Sequence, residues 1–149
     1  SDVCSSDLGG SLVWAAVAGA QTPEPLRLGL GDHMTAFVQP RHLKLGLGGR
    51  ARNWDYVAYA WHELEESFER IEKQIPTYRK MAMPDLLKMV DEPMKALEAA
   101  IKARDGARFD AAYGRLTDAC NACHVTTEHK MIVIQVPTTS PFANQRFTP

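Results

Sequence analysis

Seven apolar side chains, Trp54, Val57, Trp61, Leu64, Phe68, Ile71 and Ile75, recur at intervals of three and four without a miss. Only a helix gathers such a set on one stripe, because a strand turns alternate residues to opposite faces. A stripe this long is a heptad-like seam, and it is covered when neighbouring helices pack along it near 20°. Asn53 precedes it as an N-cap residue and Pro76 ends it. Glu63, Glu65, Glu66, Glu69, Arg70 and Lys73 fall off the seam and read as its solvated face. The chain is therefore expected to fold around this helix as an all-α protein.

Three further helices are predicted around it. Asp32 is the expected cap of a first helix, with Met34, Val38, His42 and Leu45 on its apolar stripe. Pro40 kinks that helix or marks its true start, while Gly46, Gly48 and Gly49 weaken its end, so Gly49 to Arg52 reads as a connection. After a connection containing Met81, Met83 and Pro84, Asp85 is expected to cap a third helix carrying Leu86, Met89, Val90, Leu97 and Ile101. Pro93 predicts a kink or a break within it. Asp105-Gly106 is a stop-and-turn signal before a fourth helix with Phe109, Tyr113, Leu116, Cys120 and Cys123 on one stripe. The sum is an antiparallel four-helix bundle over residues 32–130. Residues 131–149 turn β-branched and then Pro-, Thr- and Ser-rich, and read as an irregular, extended tail packed on the bundle.

The chemistry concentrates in Cys120-Asn121-Ala122-Cys123-His124. This is C-x-x-C-H, the attachment pattern of one covalently bound haem c. Two thiols must reach the two vinyl groups of one macrocycle, and the adjacent imidazole then lies under the iron as proximal ligand. Three other uses of these residues compete with it. A zinc site could recruit Cys120, Cys123, His124 and His129, but neighbouring Cys123 and His124 suit one tetrahedral ion poorly. A thioredoxin-like dithiol needs a βαβ context that the chain lacks. A disulfide across so short a helical loop is strained. The only other cysteine is Cys4.

Export fits the motif. Ser11 to Ala20 is a short apolar run ending in Ala18-Gly19-Ala20, which resembles a signal-peptide cleavage site, whereas Ser1 to Gly10 has no Lys or Arg and reads as an artefactual prefix. Residues 1–20 are thus assigned to prefix and signal remnant, and 21–31 to a flexible mature start, with a periplasmic location. A net charge of −1 gives no reason to expect nucleic acid, and no run of eighteen apolar residues suggests a membrane span. No Ser/His/Asp set and no paired inward carboxylates stand out, so the reading is a carrier rather than an enzyme.

Four helices with C-x-x-C-H on the last resemble the cytochrome c prime family and its four-helix-bundle relatives. A nearer likeness is to small exported proteobacterial monohaem cytochromes. It rests on Arg41-His42-Leu43-Lys44-Leu45, Asn53-Trp54, the C-N-A-C-H motif and Ile132 to Pro137. The resemblance implies thioethers from Cys120 and Cys123 and proximal ligation by His124. Members of the first family usually end soon after the motif, whereas this chain continues for 25 residues. They also commonly leave the distal iron face apolar and open to small gases.

In that architecture the first helix supplies any distal ligand. His42 is the first candidate and Met34 the second, against the alternatives of a hydrogen-bonded histidine and a core methionine. Trp54, Trp61 and Tyr113 are candidates for the haem pocket, with ordinary seam packing as the alternative. Arg52, in a basic cluster with Arg41, Lys44 and Arg50, is a candidate partner for a haem propionate, and the cluster for an acidic redox protein. His33 and His62 are expected to be exposed, and His129, five residues after His124, is not expected to reach the opposite face of the haem. The function expected is electron transfer to a partner protein, with binding of nitric oxide or carbon monoxide as the alternative and a non-haem metal-binding bundle third. A homodimer stays open.

Overall fold

The computed structural model describes residues 26–149, so the signal-like segment and the start of the mature chain lie outside the described residues. The described chain is mostly helical. Helix α1 runs as one α-turn, Leu30–His33, a π-helical segment, Met34–Val38, and an α-helix, Gln39–Arg50. Helix α2 spans Trp54–Gln74, α3 Met83–Lys102 and α4 Gly106–Thr126. Between α2 and α3, strands β1 (Thr77–Tyr78) and β2 (Met81–Ala82) form a two-stranded antiparallel hairpin with Thr77 opposite Ala82 and Tyr78 opposite Met81.

Helix α1 begins earlier than Asp32 predicts. Gly29 is the cap, and Asp32 sits in the first turn with its carboxylate accepting from the Gly29 N–H at 2.9 Å. That interaction satisfies one of the orphan donors at the helix start and places an acid at its positive end. Pro40 neither starts nor breaks the helix. The preceding turn widens, with the Gln39 N–H donating to Met34 O, five residues back, and Pro40, which has no N–H, follows it.

The glycines of α1 lie inside the helix. A Cβ on Gly46 would stand 2.5 Å from the Tyr113 hydroxyl, and one on Gly49 would fall into the ring of Phe109. They allow two aromatic rings of α4 to lie against the α1 backbone. Phe109 and Tyr113 stack there with centroids 5.9 Å apart.

The α2 seam is buried at Val57, Leu64 and Ile71, with Trp54, Trp61, Phe68 and Ile75 half-buried beside it. Asn53 caps α2 by accepting from the Tyr56 N–H. Helix α3 starts at Met83, not at Asp85, which instead pairs with Lys88 in the first turns. Pro93 lies within α3 and does not interrupt it. A proline inside a helix removes one helical hydrogen bond, but α3 packs on both α2 and α4, with Val90, Met94, Leu97 and Ile101 in the core.

Contacts run α1 to α2, α2 to α3, α3 to α4 and α4 back to α1, and the face between α3 and α4 is the most extensive. On α1, the Gln39–Arg50 segment packs on both α2 and α4, whereas Leu30–Val38 packs on α2. The two helices thus part company toward the α1 N-terminus. Beyond α4 the tail has no regular secondary structure and returns along the helices. Asn53 Nδ2 donates to Phe147 O at 3.1 Å, Gln145 Nε2 donates to the Tyr56 hydroxyl at 3.0 Å, and Phe147 is buried.

Candidate functional site

Where α1 and α4 diverge they leave a cleft of about 1100 Å³, its mouth included. Met34, Val38 and His42 line it from α1, Leu86 and Val90 from α3, and Cys120, Cys123 and His124 from α4. The hairpin adds Tyr78, and the segment after α4 adds His129, Ile132 and Ile134. The walls are mostly apolar. The i, i+3 spacing of Cys120 and Cys123 brings both sulfurs to the same helical face.

Both cysteines are free thiols. Burial pushes the Cys120 thiol up to about 12, with the neighbouring Cys123 adding to the shift, and burial raises Cys123 as well. Redox-active and nucleophilic cysteines have the opposite property, a lowered pKa in an electropositive setting. Nor do the residues form a closed ion site. Among the described residues no three His, Cys, Asp or Glu side chains converge as a metal-binding group.

His124 is held by the segment that follows it. Its Nδ1 lies 2.9 Å from Ile132 O. A carbonyl only accepts, so Nδ1 is the donor here, and in the neutral form of the ring the lone pair lies on Nε2. Three residues earlier in the motif, Asn121 Nδ2 donates to Ile134 O at 3.0 Å and Asn121 Oδ1 accepts from the Ile134 N–H at 2.8 Å.

His42 is buried, with both ring nitrogens engaged. Nε2 lies 3.1 Å from Thr117 Oγ1 and Nδ1 3.0 Å from the Tyr113 hydroxyl, which also donates to His42 O at 2.7 Å. The Tyr113 ring stacks on the imidazole at 4.7 Å. Burial lowers the His42 pKa to about 4, so the ring is neutral at ordinary pH. Burial also raises the Tyr113 phenol, with a smaller contribution from Cys120. Met34 is half-buried in the cleft wall, at the first position of the π-helical segment. Such segments recur at functional sites.

Of the residues singled out in the sequence, Met34, His42, Cys120, Cys123 and His124 meet in the cleft. Tyr113 supports His42 from behind. Arg52, Trp54 and Trp61 lie outside the cleft lining, and each has another partner. Arg52 makes a two-point ion pair with Asp110, Trp54 sets its ring edge-on to Phe109, and Trp61 Nε1 donates to Met94 O at 3.0 Å. Phe109 and Asp110 sit near the start of α4, so about 15–20 Å of helix separates them from the thiols. His33 is not exposed: it is buried, with Nε2 3.0 Å from Gln74 Oε1. His62 is exposed beside Glu65 and Glu66. His129 lines the cleft on the same side as the segment after α4, and its Nε2 lies 3.4 Å from the Tyr78 hydroxyl.

Gln39, Tyr78 and Ile134 also line the cleft, and no local spacing marks them as lining residues. Only the β-branched run Met131 to Val136 marked the tail as unusual. No helix among the described residues is long and apolar enough to cross a membrane. Comparison with known protein families, with curated proteins and with solved structures gives no match for this chain.

Proposed function

We propose that the chain is an exported, periplasmic monohaem c-type cytochrome that transfers electrons to a partner protein, built as an antiparallel four-helix bundle. The observation that carries this reading is the joint placement of Cys120, Cys123 and His124 on one mostly apolar cleft, with His124 Nδ1 held by the Ile132 carbonyl. In this reading Cys120 and Cys123 would hold the macrocycle through thioethers and His124 would ligate its iron. When bound, haem c supplies a one-electron iron couple. The apolar side chains Val38, Leu86 and Val90 would shield the bound group from water on their side, which would favour the less charged, reduced state. The bundle arrangement is supported by the three-residue connections Ala51–Asn53 and Ala103–Asp105 and by the ring of helix contacts.

A second reading, binding of a small gas such as nitric oxide or carbon monoxide, is favoured by one observation. His42 has both nitrogens committed to Tyr113 and Thr117, so ligation by His42 requires breaking a buried bond. Met34 is then the remaining candidate on α1 for the distal position. If neither residue ligates, the distal face is apolar and open.

The test is expression of the full chain in a host competent for haem attachment, followed by a haem-stained denaturing gel and spectra with and without carbon monoxide. Covalent pigment lost in the Cys120→Ala, Cys123→Ala double variant is the expected result. Colourless material with the mass of the bare polypeptide refutes the assignment. A low-spin spectrum indifferent to carbon monoxide supports electron transfer, and a high-spin spectrum that shifts supports gas binding.

A further inference from the structure

The motif and the tail are joined by three hydrogen bonds that have no role in helix formation. Asn121 occupies the first of the two positions between the cysteines, which C-x-x-C-H leaves free. Its side-chain amide pairs with both backbone groups of Ile134, donating to the carbonyl at 3.0 Å and accepting from the N–H at 2.8 Å. This is the pairing that one strand gives another, supplied here by a side chain on α4. It fixes the height and direction of the chain at Ile134. Two residues earlier the same stretch presents the Ile132 carbonyl to His124 Nδ1 at 2.9 Å. The run from α4 to Ile132 is itself a sequence of tight turns. The His129 N–H donates to His124 O at 2.6 Å and the Ile132 N–H to His129 O at 2.8 Å. The segment is therefore anchored on both sides of the carbonyl that meets the imidazole.

We infer that Asn121 is a positioning residue for His124: by clamping Ile134 it holds the Ile132 carbonyl on Nδ1, fixing the ring tautomer and aiming Nε2 as a ligand atom. The inference rests on the proposed haem site for its consequence, but its geometry belongs to the polypeptide. A hydrogen bond from the non-ligating nitrogen orients a ligand imidazole and raises its basicity. A more basic proximal ligand favours ferric over ferrous iron, so the clamp lowers the reduction potential. The tail beyond the motif thereby gains a task at the metal, although none of its side chains need be a ligand.

Three variants of the full, haem-loaded chain test this. Asn121→Leu removes both bonds to Ile134 while keeping similar volume. Ile134→Pro removes the N–H that Asn121 accepts and leaves α4 untouched. Val133→Ala alters an exposed side chain between the two anchor points and is the control. The expected result is a higher reduction potential in both clamp variants, with thioether attachment retained and no change in the control. An unchanged potential in Asn121→Leu and Ile134→Pro overturns the inference, and so does an equal shift in Val133→Ala. If the wild-type material carries no covalent haem, the haem reading fails while the clamp is still testable in that material. Nitrogen-15 correlation spectra at pH 8 then report the His124 tautomer. The clamp predicts the Nδ1–H form, with a roughly fivefold fall in its excess in Asn121→Leu, the scale of one hydrogen bond. Equal tautomers in the wild type overturn it.

Discussion

The two halves of α4 carry one continuous apolar stripe and do opposite things with it. Toward the N-terminus, Phe109, Tyr113 and Leu116 are buried, and two of these rings press onto the glycines of α1. Toward the C-terminus, Cys120 and Cys123 continue the stripe but face a cleft. The difference is made by the partner. Gly46 and Gly49 let α1 come close at one end, and the side-chain-bearing turns around Met34 and Val38 settle on α2 instead. Close packing at one end of a rigid helix pair is thus what leaves room at the other. The lesson is that a periodic pattern locates a face but does not say whether that face is filled.

The contrast breaks most readily at its packed end. Phe109→Ala should destabilise the fold by about 3–5 kcal/mol in urea unfolding, the usual cost of deleting a buried aromatic ring. Cys123→Ala in the unloaded chain should cost less, about 1 kcal/mol, because the thiol is only half-buried at the edge of the core and on the cleft. Equal losses would mean that the thiol end is filled and has no place for a cofactor.

Acid should reach the junction between the halves. His42 has a folded pKa near 4 against an ordinary value of 6.5. Between these values the unfolded chain binds a proton that the folded chain refuses, so stability falls as pH drops through that window and is fully present above it. The shift corresponds to roughly 3 kcal/mol. Comparing unfolding of wild type and His42→Gln at pH 7 and pH 4 isolates it, since the variant should lack this part of the acid sensitivity. Parallel losses in both proteins would show that His42 is not the buried group responsible.

Two glycines sharpen the comparison at a smaller scale. Gly49→Ala drives a methyl group into Phe109 and should cost about 1 kcal/mol net, overpacking outweighing the gain in helix propensity. Gly114→Ala on α4 meets nothing within 4 Å and should stabilise by up to ~1 kcal/mol. Thermal midpoints that move in the same direction for both would remove the close-approach account of the α1 glycines.

Much of the scaffold was legible because it is local. The α2 seam, the Asn53 cap and the stop at Pro76 each follow from neighbouring residues, and each lies where the pattern put it. The turn signalled by Asp105-Gly106 falls just before that pair, at Ala103–Arg104, with Asp105 the cap and Gly106 the first residue of α4. The hairpin was not legible. Arg79 and Lys80 occupy its turn with φ of 47° and 66°, a left-handed pair that Asn-Gly would have announced and Arg-Lys does not. His33 looked exposed because its helical phase is off the stripe, yet Gln74 at the far end of α2 covers it. Arg52, Trp54 and Trp61 looked like pocket residues because they are aromatic or basic. Their real surroundings are Asp110, Phe109 and Met94, which no spacing rule connects to them.

The sequence by itself determined the helices and put two thiols and an imidazole together on the last of them, because helical phase and the C-x-x-C-H spacing are properties of a few successive residues. Only the tertiary structure decided that α1 diverges to open a cleft over those thiols. It alone committed both nitrogens of His42 to α4, and it brought the Ile132 carbonyl back onto His124. Those outcomes depend on how closely backbones approach and on which polar atoms meet across distant segments. That is a matter of three-dimensional packing and hydrogen-bond satisfaction, and one-dimensional periodicity carries no record of it.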